Sequence, residues 1–142
     1  MVRSAPAVAR TQVRRPFAAW SLKLPESFAE TFIEDGQYWH AYDDTRSVSM
    51  TSLAMSYEDR RARASEILEQ VPPMKGSPVV ELPTGLTGFA VTAKAPRSAR
   101  ASRCLSGLLA TDGRLLLVTI TSDDLEWARQ VWLSIRRHWT WD

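Results

Sequence analysis

Residues 101–139 constrain the fold of this chain most, because two apolar runs flank an Asp-Gly pair and lead straight into an amphipathic stretch. Asp112-Gly113 suits the central positions of a type I′ turn, where both residues take positive φ. Upstream, Leu105, Gly107 and Leu109 alternate with Cys104, Ser106, Leu108 and Ala110; downstream, Leu115-Leu116-Leu117-Val118-Thr119-Ile120 is almost wholly apolar. A strand apolar on both faces belongs inside a sheet whose two sides are both covered. The pattern therefore predicts a long hairpin at the centre of a sheet, with a layer over each face.

Thr121-Ser122-Asp123-Asp124 then ends the strand and opens a helix, with Asp123 and Glu126 at capping-box spacing. Leu125, Ala128, Val131, Trp132, Ile135 and Trp139 fall on one helical stripe. Arg136, Arg137 and His138 would sit at the negative end of the helix dipole. Burying a large apolar side chain contributes roughly 1.5–3 kcal/mol, so the tryptophans are read as core rather than as a binding feature.

A chain of 142 residues is long enough to bury a self-sufficient core in one domain. The expected organisation is a basic N-terminal tail over residues 1–16 and a single α+β domain over 17–142. One cysteine, Cys104, excludes an internal disulfide and zinc sites built on several thiolates, and it reads as a small buried hydrophobe. A reducing, cytoplasmic setting follows as the simplest expectation. No run approaches the ~18 apolar residues of a membrane span, and residues 1–15 lack the apolar segment of a secretory signal.

The formal charge of +2 hides an asymmetry. Arg3, Arg10, Arg14, Arg15 and Lys23 precede any acid, which leaves 13 of the 18 basic residues against all 16 acidic ones in the remainder. Such an arm can serve nucleic acid or another anionic partner; a terminus without a role is the preferred reading.

Along the rest of the chain, Ala18, Trp20, Leu22 and Leu24 alternate as a half-buried strand that stops at Pro25. Residues 26–36 form a connection, with a helical turn over 27–32. Residues 37–44 predict a strand with Trp39 and Ala41 on one face and Tyr38, His40 and Tyr42 on the other, followed by a turn and a returning strand with Val48 and Met50 inward. A helix is expected from Ser56 to about residue 71, ended by Pro72-Pro73. Another hairpin follows across Pro83-Thr84-Gly85. Hairpin-length links imply antiparallel pairs, so the expected architecture is an α+β fold: an antiparallel sheet of six or seven strands covered by two main helices, as an α/β/α-like sandwich.

This element order, together with the opening motif Trp20-Ser21-Leu22-Lys23-Leu24-Pro25, resembles the Mog1/PsbP-like superfold over residues 17–139. The superfold's usual Pro-x-x-Trp is replaced here by Pro25-Glu26-Ser27-Phe28. Its members include small bacterial proteins, nuclear-transport cofactors, photosystem accessory proteins and secretion chaperones, so the resemblance implies an accessory binding role and transfers no functional residue.

The chemistry-bearing residues are sparse. The glycines do not recur at P-loop or dinucleotide spacing, and no cofactor is expected. His40 with Asp43 and Asp44 supplies too few ligands for a metal. A small hydrolase using His40, a carboxylate and Ser49, Ser52 or Cys104 has no support from spacing. The binding candidates are Tyr38, His40 and Tyr42 on one strand face and the acid-free basic residues Arg97, Arg100 and Arg103. The leading expectation is a non-catalytic module that binds another protein, as a monomer or homodimer. Nucleic-acid binding through the basic arm and stacking tyrosines is the alternative.

Overall fold

The computed structural model describes residues 10–33, 37–54, 63–72, 74–97, 99, 101–111 and 114–138. The chain runs β1 (Thr11–Phe17), β2 (Trp20–Pro25), β3 (Ala29–Ile33), β4 (Tyr38–Tyr42), β5 (Ser47–Ala54), α1 (Ala64–Glu69), β6 (Ser77–Val79), β7 (Thr87–Lys94), β8 (Arg103–Thr111), β9 (Arg114–Thr121), α2 (Leu125–Leu133) and β10 (Arg136–Arg137). Seven strands form one antiparallel sheet in the order β3-β4-β5-β9-β8-β7-β6, and β1, β2 and β10 form a second, three-stranded sheet.

The predicted hairpin is the middle of the large sheet: β8 pairs β9 from Cys104↔Thr121 to Thr111↔Arg114, and β9 pairs β5 on its other side. The Asp112-Gly113 turn itself lies outside the described residues. Cross-strand partners share a face, so the register divides the sheet into two sides. The front carries Trp39, Ala41, Val48, Met50, Leu105, Leu109, Leu116, Val118 and Ile120, all buried in one cluster with Trp20, Leu22 and Leu24 of β2 and with Ala128, Val131, Trp132 and Ile135. Helix α2 and the small sheet thus seal the front over β4, β5, β9 and β8, and leave the β3 end, with Phe32, exposed.

Among the described residues, the back is covered over one half only. Ile67 of α1 is buried where α1 meets β7 and β8, and on this side Val91, Cys104, Leu108 and Ala110 are also buried. Over β9 the cover stops. Leu117 is 40% exposed and Thr119 is exposed, although the apolar run predicted a strand covered on both sides. Helix α1, Ala64–Glu69, packs on β7 and β8, and the leucine run is dry on its front and partly wet on its back.

Several expectations need correction. Residues 11–16, assigned to the tail, are a paired strand, and Arg14 explains why: its guanidinium donates to the carbonyls of Glu26 and Phe28 at 3.0 Å and pairs with Glu30 at 3.4 Å. Residues 29–33 are strand β3 rather than part of a helical turn. The start of the mid-chain helix at Ser56 lies outside the described residues; α1 covers 64–69. The C-terminal helix is capped by Asp124, whose carboxylate accepts from the amides of Glu126 and Trp127 at 3.1 Å, whereas Asp123 accepts from Ser102. It ends at Leu133, and residues 136–137 turn extended to pair with Ser21 and Trp20. His138 is therefore not a dipole partner: its Nε2 lies 2.6 Å from Ser21 Oγ and its amide donates to Ala19. The turn at residues 83–86 is present, with Gly85 at φ 75 and Leu86 N–H donating to the Pro83 carbonyl.

Asp124→Ala is expected to lower stability by about 1 kcal/mol in urea denaturation, with Asp124→Asn retaining most of it, because only Asp124 caps α2.

Candidate interaction surface

Strand β4 positions the predicted aromatic row. Trp39 and Ala41 point into the core, so Tyr38, His40 and Tyr42 project from the back of the sheet. They form a ladder: His40 lies edge-on to Tyr38 at 6.5 Å and to Tyr42 at 5.3 Å between ring centroids. Tyr38 Oη donates to Ser49 Oγ at 3.1 Å, which tethers the upper ring to β5. Tyr42 is 38% exposed.

The ladder does not stand alone. Ile33 on β3, Leu53 on β5 and Leu117 on β9 share its face and are 47%, 40% and 40% exposed. Four consecutive strands, β3, β4, β5 and β9, therefore present apolar and aromatic side chains interspersed with Thr31, Ser49, Thr51 and Thr119. Isolated exposed apolar residues are ordinary; a contiguous set on an uncovered sheet face is the pattern of an interaction surface.

At one end this face meets a cavity of about 420 Å³ lined by His40, Tyr42, Asp43, Arg46, Ala99 and Ala101, among others. The Asp43-Asp44-Thr45-Arg46 turn builds its rim. Asp43 Oδ1 accepts from the amides of Thr45 and Arg46, and Oδ2 accepts from the Arg46 guanidinium at 2.7 and 2.9 Å. Arg46 in turn stacks 4.4 Å from the Trp127 ring and 5.2 Å from the Phe28 ring. Burial alone would raise the Asp43 carboxyl, but the Arg46 side chain, the two amides and the Arg46 charge outweigh it and hold the group below its ordinary value. Sequence reasoning missed Arg46; the Asx-turn composition after β4 is the signal that marks it.

His40 has a buried Nε2 without a hydrogen-bond partner, and burial lowers its affinity for a proton. A histidine that is harder to protonate when folded costs stability as acid is added: its full contribution holds above the ordinary value of about 6.5 and shrinks as pH falls below it. His40→Gln is expected to flatten the loss of stability between pH 7 and pH 5, checked by urea denaturation of both proteins across that range.

The remaining site expectations divide. The loop bearing Arg97 delivers Ala99 and Ala101 to the His40 cavity, and Arg97 and Arg103 are both exposed. Arg100 lies outside the described residues. Arg103 lines a different hollow with Gly76, Ser77 and Lys94, away from the tyrosine ladder. Of the residues considered for a hydrolase, Ser49 accepts from Tyr38 and stands opposite His40, whose Nε2 bonds none of them, Ser52 lies on the front of the sheet, and the Cys104 thiol contacts the Lys94 carbonyl at 3.7 Å. Among the described residues no three His, Cys, Asp or Glu side chains cluster as metal ligands. No described helix is long and apolar enough to cross a membrane.

No protein-family model and no curated protein sequence matches the chain. Solved structures do. The solution structure of cyanobacterial PsbP (CyanoP) from Synechocystis sp. PCC 6803 superposes with a TM-score of 0.59 at 9% identity, over 96% of this chain and 99% of that one. The fold is Mog1/PsbP-like. A crystal structure from Bacteroides thetaiotaomicron VPI-5482 aligns with a TM-score of 0.58 at 11% identity, over 92% of this chain and 48% of that one, so this chain spans about half its length. Among the described residues of this Mog1/PsbP-like fold, the back of β3, β4, β5 and β9 is an uncovered surface.

Proposed function

We propose that this chain is a small, non-catalytic accessory module that binds another protein through the open back face of its large sheet, centred on Tyr38, His40 and Tyr42, in a cytoplasmic setting. The observation that carries this reading is the shared exposure of Ile33, Tyr42, Leu53 and Leu117 on adjacent strands while the front of β4, β5 and β9 is sealed. Tyrosine anchors of this kind supply large contact area at low entropic cost. The CyanoP-like architecture supports the same class of role. The nucleic-acid alternative is weakened because Arg14 and Arg15 of the basic arm are spent on backbone carbonyls.

The test is affinity purification of a stoichiometric protein complex, followed by titration of the identified partner. Tyr38→Ala combined with Tyr42→Ala is expected to weaken that complex by at least about tenfold, a loss typical of anchor residues. A complex that tolerates the double substitution removes the proposed surface.

A further inference from the structure

Among the described residues the two sheets have four outer edges, and three are blunted. Strand β6 has three residues, one of them Pro78; β10 has two residues; β1 carries Pro16, two arginines and a register shift between Arg14 and Phe17. These are devices that keep a strand from pairing with another chain. Strand β3 has none of them. It is five residues long, free of proline, exposed throughout, and displays Phe32 at 54% and Ile33 at 47% exposure. Its one charge, Glu30, is occupied by Trp39 Nε1 at 3.0 Å and Arg14 at 3.4 Å.

Which backbone groups face outward follows from the register. Asp43 N–H donates to the Arg46 carbonyl and Ser52 N–H to the Gln37 carbonyl, so the odd-numbered residues of this stretch bond toward β5. Antiparallel strands alternate their bonding direction; Tyr38, His40 and Tyr42 therefore bond β3 through Ile33, Thr31 and Ala29. That leaves the N–H and C=O of Glu30 and Phe32 pointing away from the sheet, and among the described residues no strand pairs with this side.

We propose that the β3 edge is the site at which a second copy of this chain adds antiparallel, centred on Thr31, to make a weak symmetric dimer with a continuous sheet. The sequence of the edge is self-complementary in that register. Glu30 opposes the partner copy's Phe32 and exchanges both backbone bonds with it, and the reverse pair does the same. Thr31 meets its own equivalent in a non-bonded pair, a favourable combination. Small Ala29 opposes large Ile33 on the back face. No two like charges stand directly opposite. A two-fold axis through Thr31 lies perpendicular to the sheet, so both copies turn their tyrosine ladders to the same side, and two partner-binding faces become one.

Thr31→Cys in a Cys104→Ala background tests this directly. A non-bonded antiparallel pair holds its Cα atoms roughly 4.5 Å apart, within reach of a disulfide. Mild oxidation is expected to give a covalent dimer at position 31 far faster than the same change at Glu30 or Phe32. Equal rates at all three positions, or none at 31, overturn the register. Phe32→Pro breaks no hydrogen bond to β4, removing an outward N–H and a half-exposed ring, and is expected to abolish concentration-dependent association in sedimentation, whereas Phe32→Ala, which keeps the N–H, is expected to retain it; a wild-type chain still monomeric at millimolar concentration overturns the dimer. Slow amide exchange at Glu30 and Phe32 in dilute monomer would place a segment of the same chain on the edge instead. The readout is independent of the tyrosine surface, so either reading can fail alone.

Discussion

Gly107→Ala is expected to destabilise the protein by roughly 3 kcal/mol or more, at or beyond the upper end of ordinary core overpacking. In most strands the change would help, since glycine is the poorer strand residue. Here the added Cβ would lie 2.2 and 2.4 Å from Trp132 Cζ3 and Cη2. Trp132 is fully buried and cannot swing aside, because its Nε1 donates to the Glu81 carbonyl at 3.1 Å. The glycine is a seat for the helix, cut into the middle of β8. Trp132→Leu alone creates a cavity, but combined with Gly107→Ala it is expected to cost less than the sum of the two changes, by about 1–3 kcal/mol of coupling. Urea denaturation of the four proteins measures this; additive losses would mean that the indole does not rest on Gly107.

Trp39→Ala is expected to cost about 3–5 kcal/mol, the usual penalty for emptying a large aromatic site. Trp39 is fully exposed to the core and not at all to solvent. It also begins a chain of polar links that joins the two sheets: its Nε1 donates to Glu30, Glu30 pairs with Arg14, and Arg14 holds the carbonyls of Glu26 and Phe28. Trp39→Phe keeps most of the packing and is expected to lose only about 1 kcal/mol for the missing hydrogen bond. Denaturant midpoints distinguish the two changes; equal losses would show that the polar chain, not the ring volume, holds β3 and β4 to β1.

What the sequence reveals here is what apolar periodicity encodes. Alternation placed Trp39 and Ala41 inward and the tyrosines outward, and Asp-Gly located the central hairpin. Periodicity is blind to strands held by polar bonds. Strand β1 is anchored by arginine donors and exposes Val13 at 62%, so its residues read as tail. Strand β3 buries nothing, so no pattern separates it from a connection. The end of α2 was hidden for a different reason: Ile135 continues the helical stripe and is buried, yet the chain has already left the helix at Ser134, whose hydroxyl donates to the Val131 carbonyl. The open face was missed because Leu117 sits in an apolar run, and a run cannot report which side lacks a lid. The tyrosine ladder was visible; the Arg46 rim and the Ala99–Ala101 wall came from loops that only the fold brings together.

The middle strands of the large sheet have a sealed front and a half-open back. Hydroxyl-radical footprinting of the free chain and of its partner complex measures this residue by residue. In the free chain Tyr42, Leu53 and Leu117 are expected to oxidise readily while Trp20, Trp39 and Trp132 stay protected, and the complex is expected to protect the first three. Protection of Tyr42 and Leu117 in the free monomer equal to that of Trp39, or no change at these residues on complex formation, would contradict it.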